Sequence, residues 1–220
     1  MKTESGKRNE LAEIGVIAGV NGAGKTTIVG KMLAERGVPF IDPDRYTNEL
    51  LAANPGMPRD EANSLAWQQN SRRLRRAIAE RHSYYFETTL GGTTITALLE
   101  EAIASGMPVV MWYVGLAGVE RHIARVRARA AAGGHAIPEE KIRSRYDSSR
   151  KNLIKLLPGL AELQVLDNSA EVKRSSTKAT VPTILHWRNG RIIAPPDLSG
   201  TPTWAKGIVE RALRAQKAKA

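Results

Sequence analysis

The sequence predicts an α/β protein of three layers, with a mostly parallel sheet between helices, a helical lid, and a C-terminal β-hairpin followed by a helix. Three observations predict it. Residues 19–26 read Gly-Val-Asn-Gly-Ala-Gly-Lys-Thr and match G-x-x-x-x-G-K-[ST] at every fixed position. The run before them, Ile14 to Ala18, is short and apolar like a buried strand, and the run after, Thr26 to Glu35, is good helix material. Beyond this unit, short apolar runs alternate with helical stretches as β-α-β-α-β-α-β-α, the pattern of a parallel sheet covered by helices.

The elements follow in order. The helix after the glycine loop stops near Gly37. Val38-Pro39-Phe40-Ile41 is expected as a short second strand, ending at Asp42-Pro43-Asp44. A helix from Arg45 ends before Asn54-Pro55-Gly56, and Pro58 opens a long helix to about Arg81. Tyr84-Tyr85-Phe86 is expected as the third strand, closed by Glu87-Thr88-Thr89. Gly91-Gly92 turns the chain into a helix from Thr93 to Ser105, and Pro108 to Val114 is the most apolar strand. The helix from Gly118 to Ala132 carries an apolar stripe of Val119, Ile123, Val126 and Ala130, while Arg121, Arg125 and Arg129 share another face. Pro138 starts the next helix, with Glu139 and Glu140 at its positive end. Its buried stripe is Ile142, Tyr146, Ser149, Leu153 and Leu156.

Residues 117–157, with a hinge from Gly133 to Ile137 between two arginine-laden helices, are expected to form a lid. A plain helical hairpin with solvated arginines is the competing expectation. Gln164-Val165-Leu166 is expected as the fifth strand, ending at Asp167-Asn168, and Ala170 to Lys178 as a loop. Residues 180–194 are expected as a hairpin, because Asn189-Gly190 is a type I′ turn signal between two apolar runs. The last helix, Pro202 to about Gln216, should bury Trp204, Ile208, Ala212 and Leu213. Without repeats or an interdomain linker, residues 1–220 are expected to form one domain with a flexible segment at 1–10.

Composition narrows the classes. A chain of 220 residues can build one sizeable core, and 42% hydrophobic content is ordinary for a soluble protein. The lack of cysteine excludes disulfides, thiolate metal sites and cysteine nucleophiles. No signal core or membrane-length run is seen, so a cytoplasmic location is expected. The net charge of +11 invites a nucleic-acid reading. Ten Lys/Arg against three Asp/Glu lie between Arg121 and Lys155, and Arg72, Arg73, Arg75 and Arg76 form a second cluster. Aromatic residues are 5% and do not interleave with these charges, so a positive cleft for ATP and an anionic substrate is favoured over nucleic acid.

The glycine loop carries the chemistry. Its glycines let backbone N–H groups wrap a polyphosphate, and the helix N-terminus adds positive potential. Gly19, Asn21, Gly22, Ala23, Gly24, Lys25, Thr26 and Thr27 are the expected ATP-binding residues, with Lys25 reaching the β/γ-phosphates and Thr26 ligating Mg²⁺. Ligands bind beyond the carboxyl ends of parallel strands, where this loop, Asp42-Pro43-Asp44, Glu87-Thr88-Thr89 and Asp167-Asn168 should converge. Asp44 or Asp42 is the candidate general base, and one of the pair is expected to cap a helix instead. Among the histidines, only His135 in the hinge is singled out.

These stretches, in this order, resemble the zeta toxin family. The matching residues are Gly19 to Thr27, Ile41-Asp-Pro-Asp44, Phe86-Glu-Thr-Thr-Leu90, Arg125-Val-Arg-Ala-Arg129, Gly133-Gly-His-Ala-Ile-Pro138, Arg145-Tyr146, Asn152-Leu153 and Asp167-Asn168. The resemblance implies a P-loop kinase-like fold and phosphoryl transfer from ATP to a hydroxyl of a UDP-amino sugar such as UDP-N-acetylglucosamine. It implies Asp44 as the base, Glu87 and Thr89 in the substrate pocket, and Arg125 or Arg129 together with Arg145 at the phosphates. It also allows a separate antitoxin partner. His135 stands where such toxins carry a lid arginine. Kinases for a nucleoside, an antibiotic or another sugar, and a non-kinase NTPase acting on nucleic acid, are the alternatives.

Overall fold

The computed structural model describes residues 12–170 and 181–218. The expectations for the N-terminal ten residues, and for the loop from 171 onward, lie outside them.

β1 (Ile14–Ala18) is buried along its whole length, as a strand with helices over both faces must be. It lies between β2 (Tyr84–Thr88) and β3 (Val109–Gly115), parallel to both. β4 (Glu162–Asp167) adds parallel to β3. β5 (Thr183–Arg188) and β6 (Arg191–Ala194) extend the sheet antiparallel, giving the order β2-β1-β3-β4-β5-β6. Asn189 and Gly190 both have positive φ, as the type I′ hairpin turn requires. The chain runs outward from β1 to β2 and then back over to β3. The carboxyl end of β1 is therefore a topological switch point, where a crevice opens between diverging connections.

The pleat divides the core. Ile14, Val16 and Ala18 point into the larger cluster with Leu74, Phe86 and Met111, while Ile17 packs with Val29, Leu33 and Val114 on the other face. A π-helical turn, Thr26–Gly30, leads into α1 (Lys31–Glu35). Then come α2 (Pro43–Ala53), α3 (Arg59–Glu80), α4 (Thr93–Ala104), α5 (Val119–Ala131), α6 (Glu139–Leu156) and α7 (Lys206–Lys217). Of the stripe expected for α6, Ile142, Ser149, Leu153 and Leu156 are buried, and Tyr146 is only half-buried, its ring under the Arg150 guanidinium.

Three expectations need correction. Val38 to Ile41 is not a strand, and only Ile41 bridges to Phe86. Pro39 has no N–H to donate, the Val38 N–H closes the preceding helix on Leu33 O, and Asp42 already caps the next helix. That helix begins at Pro43 rather than Arg45, because Pro suits the first helical position. In α7, Leu213 is exposed, and Val209 and Ala215 join Ile208 and Ala212 inside. No helix among the described residues is long and apolar enough to cross a membrane.

Candidate active site

The loop after β1 takes its shape from glycine. Gly19, Gly22 and Gly24 have φ of +141°, +80° and +91°, conformations that L side chains rarely adopt. At Gly19 a Cβ would also sit 2.2 Å from Val114 O. Three side chains brace the loop. Asn168 Nδ2 donates to Ala23 O at 2.8 Å. His122 Nδ1 meets Asn21 O at 2.9 Å. Burial pushes the His122 pKa down to about 4, so the neutral ring donates its Nδ1–H to that carbonyl. Arg145 Nη1 donates to Asn21 Oδ1 at 2.9 Å.

The loop opens onto a cavity of about 1230 Å³. Asn21, Gly22, Gly24, Lys25, Thr26 and Thr27 line it. Gly19 and Ala23 are not on its wall; they shape the loop from beneath, and Ala23 is fully buried. Lys25 is only 7% exposed and lies 3.4 Å from Glu87 Oε1. The other Glu87 oxygen accepts from Thr26 Oγ1 at 2.7 Å. Glu87 reaches this place because β2 runs parallel to β1 with Glu87 opposite Ile17, which puts its end beside the loop. Thr89, two residues further and just past the end of β2, also lines the cavity.

The two aspartates divide their roles as the capping argument requires. Asp42 Oδ1 accepts from the Asp44 N–H at 2.9 Å and so caps α2. Burial, together with the nearby charges of Glu87 and Asp44, raises its pKa above the ordinary 3.8. Asp44 is exposed into the cavity, and its carboxylate makes no hydrogen bond among the described residues.

A stability prediction follows from Asp42. A raised folded-state pKa means that the native protein holds this proton to higher pH than the unfolded chain does. The contribution of Asp42 to stability therefore falls as pH rises from 3.8 through the folded value. Asn keeps the cap and carries no charge. Asp42→Asn should melt higher than wild type near pH 7.5, and the gain should vanish below the ordinary aspartate pKa. Thermal melts followed by circular dichroism at the two pH values check this, and a lower melting temperature at pH 7.5 would reverse the assignment.

The arginines expected to serve phosphate are separated by the fold. Arg125 donates from Nη2 to Asn168 O at 2.9 Å, and Arg145 touches Asn21, so both flank the loop. Burial lowers the Arg145 pKa, and the Asp44 charge opposes that shift. Arg129 also lines the cavity, but further out, with Nη2 3.4 Å from His135 O. His135 lies on the wall, its pKa lowered first by burial, with Arg59, Asp44, Arg129 and Asp60 acting on it. Several other cations of the basic cluster are spent on structure. Arg127 pairs with Glu139, Arg143 with Glu120 and Lys155 with Glu100, while Arg150 lies 4.0 Å over the Tyr146 ring.

Of the four polar clusters expected at the strand ends, three line the cavity. Asp167 does not; it accepts from Ser169 and Trp204 and is structural. Sequence reasoning set His122 aside, and its pairing with a loop carbonyl 101 residues away left no local signal. It also overlooked α3, whose Asp60, Asn63, Ser64, Trp67 and Asn70 form a cavity wall. The spacing of these residues along one helix face was a readable sign.

A glycine-bounded phosphate-type loop at a switch point, facing strand-end carboxylates and flanked by arginines, defines a class: an α/β protein with the P-loop kinase-like fold. Within that class, a family model described as an AAA domain matches residues 15–151, and the chain belongs to this family. An uncharacterized protein of Haemophilus influenzae is 30% identical over 129 residues, which are 58% of this chain and 88% of that protein. Among solved structures, the AvrRxo1-ORF1:-ORF2 complex with ATP superposes with a TM-score of 0.62 at 14% identity. The match covers 92% of this chain but only 64% of that one. The PezAT chromosomal toxin-antitoxin system of Streptococcus pneumoniae gives a TM-score of 0.51 at 14% identity, covering 74% of this chain and 70% of that one. At such identities the likeness speaks for the fold.

Proposed function

We propose that the protein is an ATP- and Mg²⁺-dependent phosphotransferase that moves the γ-phosphoryl group to a hydroxyl of a small molecule, a UDP-amino sugar such as UDP-N-acetylglucosamine. The observation that carries this reading is one cavity of about 1230 Å³ that Lys25, Thr26 and Asp44 line together, with Arg125 and Arg145 at the loop. Sites for one small ligand run to about 300–1,000 Å³, so there is room for a nucleotide and an acceptor together.

In this reading the loop amides and Lys25 cradle the β/γ-phosphates. The Thr26 hydroxyl is the protein ligand for Mg²⁺, with the Glu87 carboxylate beside it; a hard cation with oxygen donors suits this pair. When bound, the ion offsets charge on the phosphates. Asp44, unengaged and open to the cavity, accepts the proton of the attacking hydroxyl. Glu87 and Thr89 border the acceptor, and Arg125, Arg145 and the outer Arg129 offset charge on the transferring group. Residues 117–157 act as the lid that keeps water from the phosphoryl group. The zeta toxin resemblance and the PezAT neighbour support a toxin-like kinase with a separate antitoxin. The ion pairs that engage Arg127, Arg143 and Lys155 weigh against a nucleic-acid track along this region.

The test is a mass-spectrometric screen of the purified protein with ATP and Mg²⁺ over UDP-sugars, nucleosides and simple sugars. The expected products are ADP and a monophosphorylated UDP-amino sugar. A phosphorylated nucleoside or simple sugar would move the acceptor assignment. ATP turnover that DNA stimulates, with no phosphorylated small molecule, would replace the kinase reading with an NTPase.

A further inference from the structure

α3 turns one face to the cavity. Asp60, Asn63, Ser64, Trp67 and Asn70 recur at helical spacing and all line it. The other three tryptophans, Trp112, Trp187 and Trp204, are at most 8% exposed, whereas Trp67 is 49% exposed. A large aromatic left half in solvent on a cavity wall, within a row of polar side chains, offers an apolar ring face to whatever enters the cavity.

The neighbours of Trp67 are set for hydrogen bonding. Asn70 is 5% exposed, and its Oδ1 accepts from Tyr84 Oη at 2.7 Å. Burial pushes the Tyr84 pKa up to about 12, so the phenol keeps its proton and acts as the donor. This fixes the orientation of the Asn70 amide and leaves Nδ2, which has no partner among the described residues, as the donor available to the cavity. Asn63 adds an amide, Ser64 a hydroxyl and Asp60 a carboxylate. Lys25, Arg125 and Arg145 come from other elements, so this wall has no cation of its own.

We propose that the α3 wall is the acceptor subsite, and that it takes an uncharged hydroxylated sugar ring whose C–H face stacks on the Trp67 indole while Asn63, Asn70 and Asp60 bond its hydroxyls. The proposal rests on the phosphotransferase reading for its partner site and deepens it by naming the surface that selects the acceptor. Indole supplies apolar area at low entropic cost, and the amides and carboxylate offer the mixed donors and acceptors that hydroxyl groups need. Asp60 disfavours an anionic group here and leaves phosphates to the loop side of the cavity. A ring lacking the matched hydroxyls would strand the buried Asn70 donor, which is how such a wall discriminates.

The test uses the full chain with ADP and Mg²⁺ present, so that the nucleotide position is filled. N-acetylglucosamine, glucose, UDP-N-acetylglucosamine, uridine and adenosine are titrated separately while tryptophan emission is recorded. Trp67 is the exposed reporter, and a blue shift or quench with the sugar-bearing probes is expected. In parallel, calorimetry should show Trp67→Ala weakening sugar binding by about tenfold or more and Trp67→Phe by much less, since a phenyl ring still stacks. ATP affinity and melting temperature should be unchanged in both variants, which a structural role for Trp67 would not allow. The proposal is overturned if only uridine and adenosine shift the emission, if no probe does, or if Trp67→Ala binds sugars like wild type. Sugar binding by a protein that does not bind ATP would leave this subsite standing and sink the kinase reading instead.

Discussion

Replacing Lys25 by Ala is expected to weaken ATP binding by about one to two decades and to lower turnover by about 10²-fold or more. Lys25 is 7% exposed and is the one cationic side chain that the loop itself presents to the cavity. Hydrogen bonds to charged groups contribute roughly 1.5–3 kcal/mol each. Losing the ammonium therefore costs about one to two decades of nucleotide affinity. Losing its stabilisation of the transferring group costs about 10²-fold or more in rate. A second effect acts on the fold. Glu87, itself 12% exposed, loses the cation 3.4 Å away and keeps the Thr26 hydroxyl. Stripping one partner from a buried pair costs roughly 3–5 kcal/mol, and the open cavity brings Glu87 to the low end of that range. The double variant Lys25→Ala/Glu87→Gln should recover melting temperature without recovering ATP binding, and that separates the two effects. Titration with a fluorescent ATP analogue and thermal melts are the measurements. ATP affinity within threefold of wild type in the single variant would end the phosphate-loop assignment.

What the sequence made legible was what is local in the chain. Phosphate-loop geometry is written in the glycine spacing, because the positive φ at Gly22 and Gly24 is a property of single residues. The hairpin was readable for the same reason at Asn189-Gly190. The placement of β1 between β2 and β3 was not, since strand order follows from how α1 to α4 pack and no local rule specifies it. Val38 to Ile41 looked like a strand by composition, yet Pro39 and the cap at Asp42 left backbone groups for one bridge only. The same cap explains how far Asp42 and Asp44 could be told apart. Capping preference said that one of them serves the helix, and the hydrogen bond to the Asp44 N–H selected Asp42. His122 and Asn168 support the loop from 101 and 145 residues away, and neither carries a spacing signal. The row that Trp67 shares with Asp60, Asn63, Ser64 and Asn70 was legible as one helix face, but the exposure of Trp67 was not, because a tryptophan on an amphipathic helix reads as core until the helix is rotated into place.

Asp44→Asn is expected to lower kcat by about 10²-fold or more while leaving ATP affinity near wild type. Asparagine preserves the shape and the first-turn position in α2, and the backbone N–H that Asp42 caps is untouched. The change removes only the carboxylate that would take the hydroxyl proton. Asp44 shares the cavity wall with Arg145 and His135, and its charge acts to raise the pKa of both. Asp42 offers no equal alternative. Its Oδ1 is committed to the helix cap, and its raised pKa reflects burial beside two other carboxyl groups. Rate measurements on Asp44→Asn and Asp42→Asn with the acceptor found in the screen decide between them. A hundredfold loss in the first and a small change in the second is the expected pair. The reverse pattern would make Asp42 the base and Asp44 a spectator at the helix start. Equal losses in both would mean that the two carboxylates share the proton, with Glu87 close enough to Asp42 to hold that proton on the pair.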